Sequence, residues 1–281
     1  MPLVRTGDLV AAAQRERRAV AAFNVITLEH AEAIAATAAR TGRAAILQIS
    51  HNAVRFHGGA LRPLAVAAAA IAECGEADLA LHLDHVEDEA LLRQAADAGF
   101  SSVMFDAGAL PYQENVDATR AAAQWAHRSG LWLEAELGYV GGKPGAAASA
   151  HAEGVRTDPQ EAAAFVEATG VDALAVAVGS QHAMLTRTAT LDHELIARLS
   201  AAVAVPLVLH GSSGVGDHEL RSAIRAGITK INVGTALNIA FTDAVRATLA
   251  QLSSSDPRRY LAPAREAMAG VVADTLHVVA P

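Results

Sequence analysis

The sequence predicts a (β/α)8 TIM barrel, one domain over residues 1–281, on three observations. Eight short apolar runs recur along the chain. Amphipathic, helix-length stretches separate them. Every run places a polar or ionisable residue at its C-terminal edge. The runs are RAVAAFNV (18–25), RAAILQIS (43–50), DLALHLDH (78–85), SSVMFDAG (101–108), LWLEAELG (131–138), DALAVAVGS (172–180), PLVLHG (206–211) and ITKINVG (228–234). Most are near-continuous rather than alternating, as expected for parallel strands covered on both faces. Helical patterns lie at 113–129, 159–169, 192–203 and 217–226. The first begins past Pro111, and the second opens with TDPQE, a capping residue followed by proline in the first turn. A doubly wound open sheet is the rival architecture, and eight repeats of the strand–helix unit favour closure.

Bulk properties narrow the function. Of the 281 residues 52% are hydrophobic and 19% charged, which excludes a mainly disordered chain and allows a large core. The formal net charge of −8 argues against a nucleic-acid partner, which would call for a basic stripe. No apolar run reaches about 18 residues, so no spanning helix and no membrane partner are expected. Met1 to Val20 carries Asp8, Arg15, Glu16, Arg17 and Arg18 and lacks the apolar core of a signal peptide. The single cysteine, Cys74, reads as a small helix residue; it rules out an intrachain disulfide and fits a cytoplasmic chain.

The chemistry gathers at the strand ends, which are Asn24, Ser50, Asp84 with His85, Asp106, Glu136, Ser180 with His182, His210, and Asn232 with Thr235. In a barrel these edges converge on one face, where the loops build active sites. A barrel serving stability alone has no need of polar groups at all eight edges. Three of the residues are histidines, and three neutral imidazoles with an open position make a catalytic zinc site. Taken singly, each strand-end histidine also reads as a hydrogen-bonded structural residue. His82, two residues before Asp84, reads as an interior residue. His51 and His57 read as solvated loop positions, and His30, His127, His193, His218 and His277 as surface or helix-packing residues. The long Gly- and Ala-rich break at 139–157, with His151 inside it, reads as a lid or as an inert insertion. GSSGVG (211–216) and NVGT (232–235) follow the seventh and eighth runs, where barrels often hold a phosphate on backbone N–H groups. The substrate expected is a small phosphorylated carbonyl compound.

At these residues the sequence resembles the class II fructose-bisphosphate/tagatose-bisphosphate aldolases, from about residue 2 to residue 272. The segments are AFNVITLEH (22–30), ILQIS (46–50), LHLDH (81–85), GFSSVMFDA (99–107), EAELGYVGG (134–142), TGVDALAVAVGSQH (169–182), PLVLHGSSGV (206–215), KINVGTALNIAFT (230–242) and DPRRYLAPAREAM (256–268). The resemblance implies Zn2+ or another divalent cation on His85, His182 and His210, with Asp106 and Glu136 as acidic residues that can hold it in an alternative position. A monovalent cation is a further expectation. It implies that Asp84 handles the C4 hydroxyl proton. Gly211, Ser212, Ser213, Asn232, Val233, Gly234 and Thr235 would bind dihydroxyacetone phosphate, with Ala183 beside them. Asn24 and Ser50 would line the mouth, and Arg258 or Arg259 would reach the far end of the substrate, in the same or a neighbouring subunit. The implied reaction cleaves or forms a ketose phosphate, fructose 1,6-bisphosphate or a relative, through a zinc-stabilised enediolate, as in glycolysis and other carbohydrate metabolism. A cytoplasmic homodimer or homotetramer is the implied assembly.

The chain departs from that pattern in three places. Gly141-Gly142 is followed by Lys143-Pro144-Gly145, where the family carries an acidic pair that includes the base for dihydroxyacetone phosphate. Glu153, His151, another group or a water could serve instead, or the base is absent. Ala183 stands where the family has glycine, and Gly234 where it has Asp or Ala. A Schiff-base aldolase needs a lysine in the mouth; Lys143 lies in the loop and Lys230 begins the eighth run rather than ending it. A sugar-phosphate isomerase or epimerase would need two acid/base groups flanking one carbon, which the sequence does not show clearly. The alternative from another class is a non-catalytic barrel subunit or scaffold that has lost the loop base.

Overall fold

The computed structural model describes residues 3–138, 156–253 and 255–280. In chain order the elements are α1 (Thr6–Arg15), β1 (Val20–Asn24), α2 (Leu28–Thr41), β2 (Ala45–Ser50), α3 (His51–Phe56), α4 (Leu61–Glu73), β3 (Leu79–Val86), α5 (Glu89–Leu92), β4 (Ser102–Phe105), α6 (Tyr112–Arg128) and β5 (Trp132–Leu137). After 156 follow α7 (Pro159–Thr169), β6 (Ala173–Val176), α8 (His193–Ala202), β7 (Leu207–Leu209), α9 (Asp217–Ala226), β8 (Ile228–Val233), α10 (Thr235–Gln251) and α11 (Arg258–Val279). The strands pair in sequence order, all parallel, and β8 closes on β1 with Val20 opposite Lys230. The expected barrel is therefore the fold, and the open-sheet rival is excluded.

Strand alternation sorts the side chains into two cores. Residues facing outward, such as Phe23, Leu47, Leu81, Leu83, Leu133 and Leu174, join the helices in one large apolar layer. Residues facing the axis form tiers. At the N-terminal end Val20, Ala22, Ile46 and Ala80 pack under Val10 and Ala13 of α1, which closes that end of the barrel. Ala173, Ala175 and Val208 complete this small-residue floor against Trp132. Thr6 at the start of α1 is tied to the strands by hydroxyl contacts to Ser101 (2.9 Å) and Ser102 (2.6 Å). Above the floor the axis turns polar, with Gln48, His82, Glu134 and Lys230 all buried. The strands' C-terminal ends form the next tier up, at the mouth.

Local chemistry sets the helix starts. Asp158 accepts from Gln160 N and Glu161 N (2.9 and 3.0 Å) ahead of Pro159, so α7 begins as its sequence predicts. Asp192 caps α8 through Leu195 N at 2.9 Å. Among the histidines, His51 differs from expectation and His30 proves a helix-packing residue, as expected. His51 opens α3 and is buried, rather than lying in a solvated loop, because the chain turns helical directly after Ser50. His30 packs inside, its ring stacked on Phe241 at 5.6 Å. Cys74 is the exposed C-cap of α4. Among the described residues no helix is long and apolar enough to cross a membrane.

Candidate active site

Successive residues on a strand point to opposite faces, so Asp84 and His85 could not both serve the mouth on a regular β3. The pairing of β3 with β4 shifts register between Leu83 and Val86, and His85 takes φ +50. This irregularity turns the imidazole to the same side as Asp84. His85 Nδ1 then lies 3.1 Å from Asp106 Oδ2 at the end of β4, and its Nε2 lies 3.9 Å from Asp84 Oδ2.

His210 follows β7 directly and is wholly buried. Its Nε2 is 3.0 Å from Glu134 Oε1, which leaves Nδ1 facing Glu136 Oε2 at 3.2 Å. A carboxylate behind a histidine in this way fixes which nitrogen looks into the site. His182 comes from the loop after β6, beyond the strand's end at Val176. The three rings sit with centroids 5.3 Å (His85–His182), 4.8 Å (His85–His210) and 5.6 Å (His182–His210) apart. One ligand atom each from His85, Glu136, His182 and His210 falls within 4.8 Å of the others.

Three imidazole nitrogens and one carboxylate oxygen are the donor set that suits zinc and related divalent ions. The electrostatics agree with such an occupant. Burial pushes the His210 pKa down, but hydrogen bonds to Glu134 and Glu136 outweigh it and lift it to about 9. Positive charge is thus favoured where a cation would sit. Burial also opposes ionisation of Asp84, yet His85, His82 and His210 hold its carboxyl far below the usual range. Asp84 is therefore an ionised, buried carboxylate next to the cluster.

The phosphate-loop residues also converge. Gly211 takes φ +67, and a Cβ there would lie 2.5 Å from the Gln181 carbonyl carbon and oxygen. Only glycine allows the loops after β6 and β7 to touch, which sets His182 beside His210. Ala183, with φ +58, holds the left-handed backbone that the family's glycine would hold without strain. Ser212 Oγ donates to the Asn232 carbonyl, and Ser213 Oγ accepts from Ala236 N at 3.0 Å, in the first turn of α10. The 211–214 turn therefore sits against a helix N-terminus, the arrangement that binds anions. Val233 buries its side chain in the apolar core, so only its main chain can serve the mouth. Gly234 lies against Asn24, where a Cβ would be 3.1 Å from the amide carbon. Ser50 Oγ caps α3 through Ala53 N at 3.2 Å. Arg258 and Arg259 are exposed at the start of α11, with Arg258 paired to Asp256 at 2.7 Å rather than to a mouth residue. Lys143, His151 and Glu153 lie outside the described residues.

The tier beneath the mouth is what the sequence reading passed over. His82 is interior, as expected, with Nδ1 2.8 Å from Ser102 Oγ. Lys230 is not at the edge of β8 but its third residue, fully buried, with Nζ 2.9 Å from Glu134 Oε2. Burial alone would hold Glu134 protonated; the Lys230 charge and the His210 hydrogen bond lower its pKa to about 2. A signal for this tier exists in the sequence. Gln48–Ser50, His82–Asp84, Glu134–Glu136 and Lys230–Asn232 are all spaced by two, so each member lies on the same strand face as its mouth residue.

Comparison with known proteins agrees with this geometry. Residues 4–280 match the family described as fructose-bisphosphate aldolase class-II. The fold superposes on the YdjI aldolase from Escherichia coli K12 with a TM-score of 0.85 at 29% identity, covering 99% of this chain and 97% of that one. A Coccidioides immitis protein provisionally called a fructose-1,6-bisphosphate aldolase gives 0.87 at 30% identity, over 98% and 96%. A fructose-bisphosphate aldolase from Campylobacter jejuni, at 22% identity and a TM-score of 0.83 over 99% and 95%, shares the fold. With the histidine cluster, Asp84 and the Ser/Gly turns at one barrel mouth, the chain belongs to the class II fructose-bisphosphate aldolase family and is an aldolase, a carbon–carbon lyase.

Proposed function

We propose that this aldolase is metal-dependent and acts on a phosphorylated ketose, fructose 1,6-bisphosphate or a close relative, to release or take up dihydroxyacetone phosphate. The observation that carries the reading is the convergence of His85, Glu136, His182 and His210 within 4.8 Å at the mouth. His85, His182 and His210 would hold Zn2+ or another divalent ion, with Glu136 and Asp106 available as further oxygen ligands. Such an ion supplies Lewis acidity toward the substrate's carbonyl and hydroxyl oxygens.

This chain's own residues would bind the substrate and move the C4 hydroxyl proton, while the C3 proton would pass to Glu153, His151, another group or a water. Asp84, ionised and anchored in β3, takes the proton from the C4 hydroxyl during cleavage and returns it during condensation. Asn232 lies next to it, Nδ2 3.5 Å from Asp84 Oδ1, and would orient the substrate's hydroxyls. Gly211, Ser212, Ser213, Ala183 and the main chain of 232–235 would hold the phosphate against α10. Asn24, against the Gly234 turn, and Ser50 would line the adjoining rim. Arg258 or Arg259 would act on the far phosphate only across a subunit boundary. In the single chain α10 buries Leu237 alone, which supports assembly as a homodimer or homotetramer. We place the enzyme in cytoplasmic carbohydrate metabolism.

Metal analysis and isotope exchange test the reading. Purified protein should carry about one divalent ion per chain. His85→Ala, His182→Ala and His210→Ala should each lose it. In deuterated water the metal-loaded protein should exchange a C3 proton of dihydroxyacetone phosphate. Metal that stays bound in all three variants would refute the ligand assignment. A loaded protein without exchange would favour the scaffold alternative or a donor other than dihydroxyacetone phosphate.

A further inference from the structure

Lys230 sits on the barrel axis one tier below the mouth, with no exposed surface. An ammonium has three hydrogens to donate and no lone pair to offer. Here three acceptors meet it: Asn232 Oδ1 at 2.7 Å, Glu134 Oε2 at 2.9 Å and Gln48 Oε1 at 3.4 Å. Two of those acceptors belong to amides, and an amide that turns its oxygen down must turn its NH2 elsewhere. Asn232 sends Nδ2 toward Asp84. Gln48 sends Nε2 to Asn24 Oδ1 at 2.9 Å, which in turn leaves Asn24 Nδ2 as the free end of that side chain. Asn24 is the last residue of β1 and lies against the Gly234 turn.

We propose that Lys230 is a positioning residue: through Gln48 and by direct contact it fixes Asn24 and Asn232 with their NH2 groups turned to the mouth, so that the site offers donors to the electron-rich oxygens of a phosphorylated ketose. The inference rests on the aldolase reading above. It assigns the two amides to different ends of the substrate. Asn232, beside Asp84, faces the reacting hydroxyl. Asn24, beside the 232–235 turn, faces the phosphate. Both orientations are set before substrate arrives, because every donor of the lysine is already committed. Preset donors need no reorganisation during reaction.

Two measurements test this. Neutron diffraction on deuterated protein should place the ND2 of Asn232 away from Lys230, and that of Asn24 away from Gln48. An ND2 group of either asparagine facing inward overturns the proposal. Kinetically, Gln48→Glu can still accept from Lys230 but cannot donate, so Asn24 should reverse. Gln48→Met is neutral and frees Asn24. Both should raise KM for dihydroxyacetone phosphate in the exchange assay about tenfold, with kcat and metal content near the parent values. A merely structural role would lower the active fraction and leave KM alone. An unchanged KM, or a rise in the Glu variant only, overturns the proposal, the second because it would trace to charge rather than orientation. Failure of the parent protein to exchange would sink the dihydroxyacetone phosphate reading, while the neutron map still judges the amide orientation.

Discussion

Two side chains at the mouth sit on left-handed backbone without being glycine, His85 at φ +50 and Ala183 at φ +58. For His85 the strain has a use: it puts two adjacent residues of one strand on one side. For Ala183 no contact among the described residues explains it. A non-glycine residue in this region costs about 1–2 kcal/mol, while glycine gives back about 0.4–1 kcal/mol through a freer unfolded chain. Ala183→Gly should therefore stabilise the protein by up to about 1.6 kcal/mol, seen as a higher urea midpoint at an unchanged slope. The same scale shows what the sequence could tell. His85, His210 and Asp84 were legible because they stand at run ends. Gln48, Glu134 and Lys230 were not, since one polar residue inside AILQIS, WLEAEL or ITKINV reads as an interruption of a core strand. Only the period-two match to the run-end residue shows that it faces the axis.

At the scale of elements, the runs and breaks gave all eight strands, because parallel strands covered on both faces need continuous apolar runs. They gave the catalytic loops less well. His182 lies on a loop past β6, and the approach of Gln181 to Gly211 brings it to His85 and His210. That loop is also tied further along. Glu219 of α9 accepts from Leu191 N and from His193 Nε2, both at 3.0 Å. The backbone hydrogen bond, then His193, hold the Glu219 carboxyl below its ordinary pKa. A lowered carboxyl pKa contributes stability above the unfolded value and loses it as the pH falls through the folded one. The gap in urea midpoint between the parent and Glu219→Ala should thus be full at pH 7 and shrink below about pH 4. A constant gap would mean the contact is steric. At the end of β5, Thr157 Oγ1 donates to Leu137 O (2.6 Å) and accepts from Ala177 N (2.8 Å). Thr157→Val keeps the shape and strands both partners, at a cost of roughly 1–3 kcal/mol in thermal or urea unfolding.

For the whole molecule, the layered axis separates folding from chemistry. The apolar shell and the Lys230–Glu134 tier are held by the chain's own contacts, with Lys230 Nζ 2.9 Å from Glu134 Oε2. Chelation should therefore abolish isotope exchange while the far-ultraviolet circular dichroism stays unchanged, and zinc should restore the exchange. Melting temperature should rise with free metal, as expected for a ligand that binds only the folded state. Collapse of the fold on chelation would show instead that the ion is structural. The Thr157 fastening bears on this division too. The chain leaves β5 at Gly138 and is fixed again at Thr157, which also bonds backbone to backbone with Ala177 at 3.1 Å. Gly138 and Thr157 thus stand close together on the barrel rim, Thr157 Oγ1 donating to the carbonyl of Leu137. Closing a loop between such points costs only about 0.6 kcal/mol more for each doubling of its length. A change in the number or kind of residues between these two fastenings would therefore cost the barrel beneath little stability.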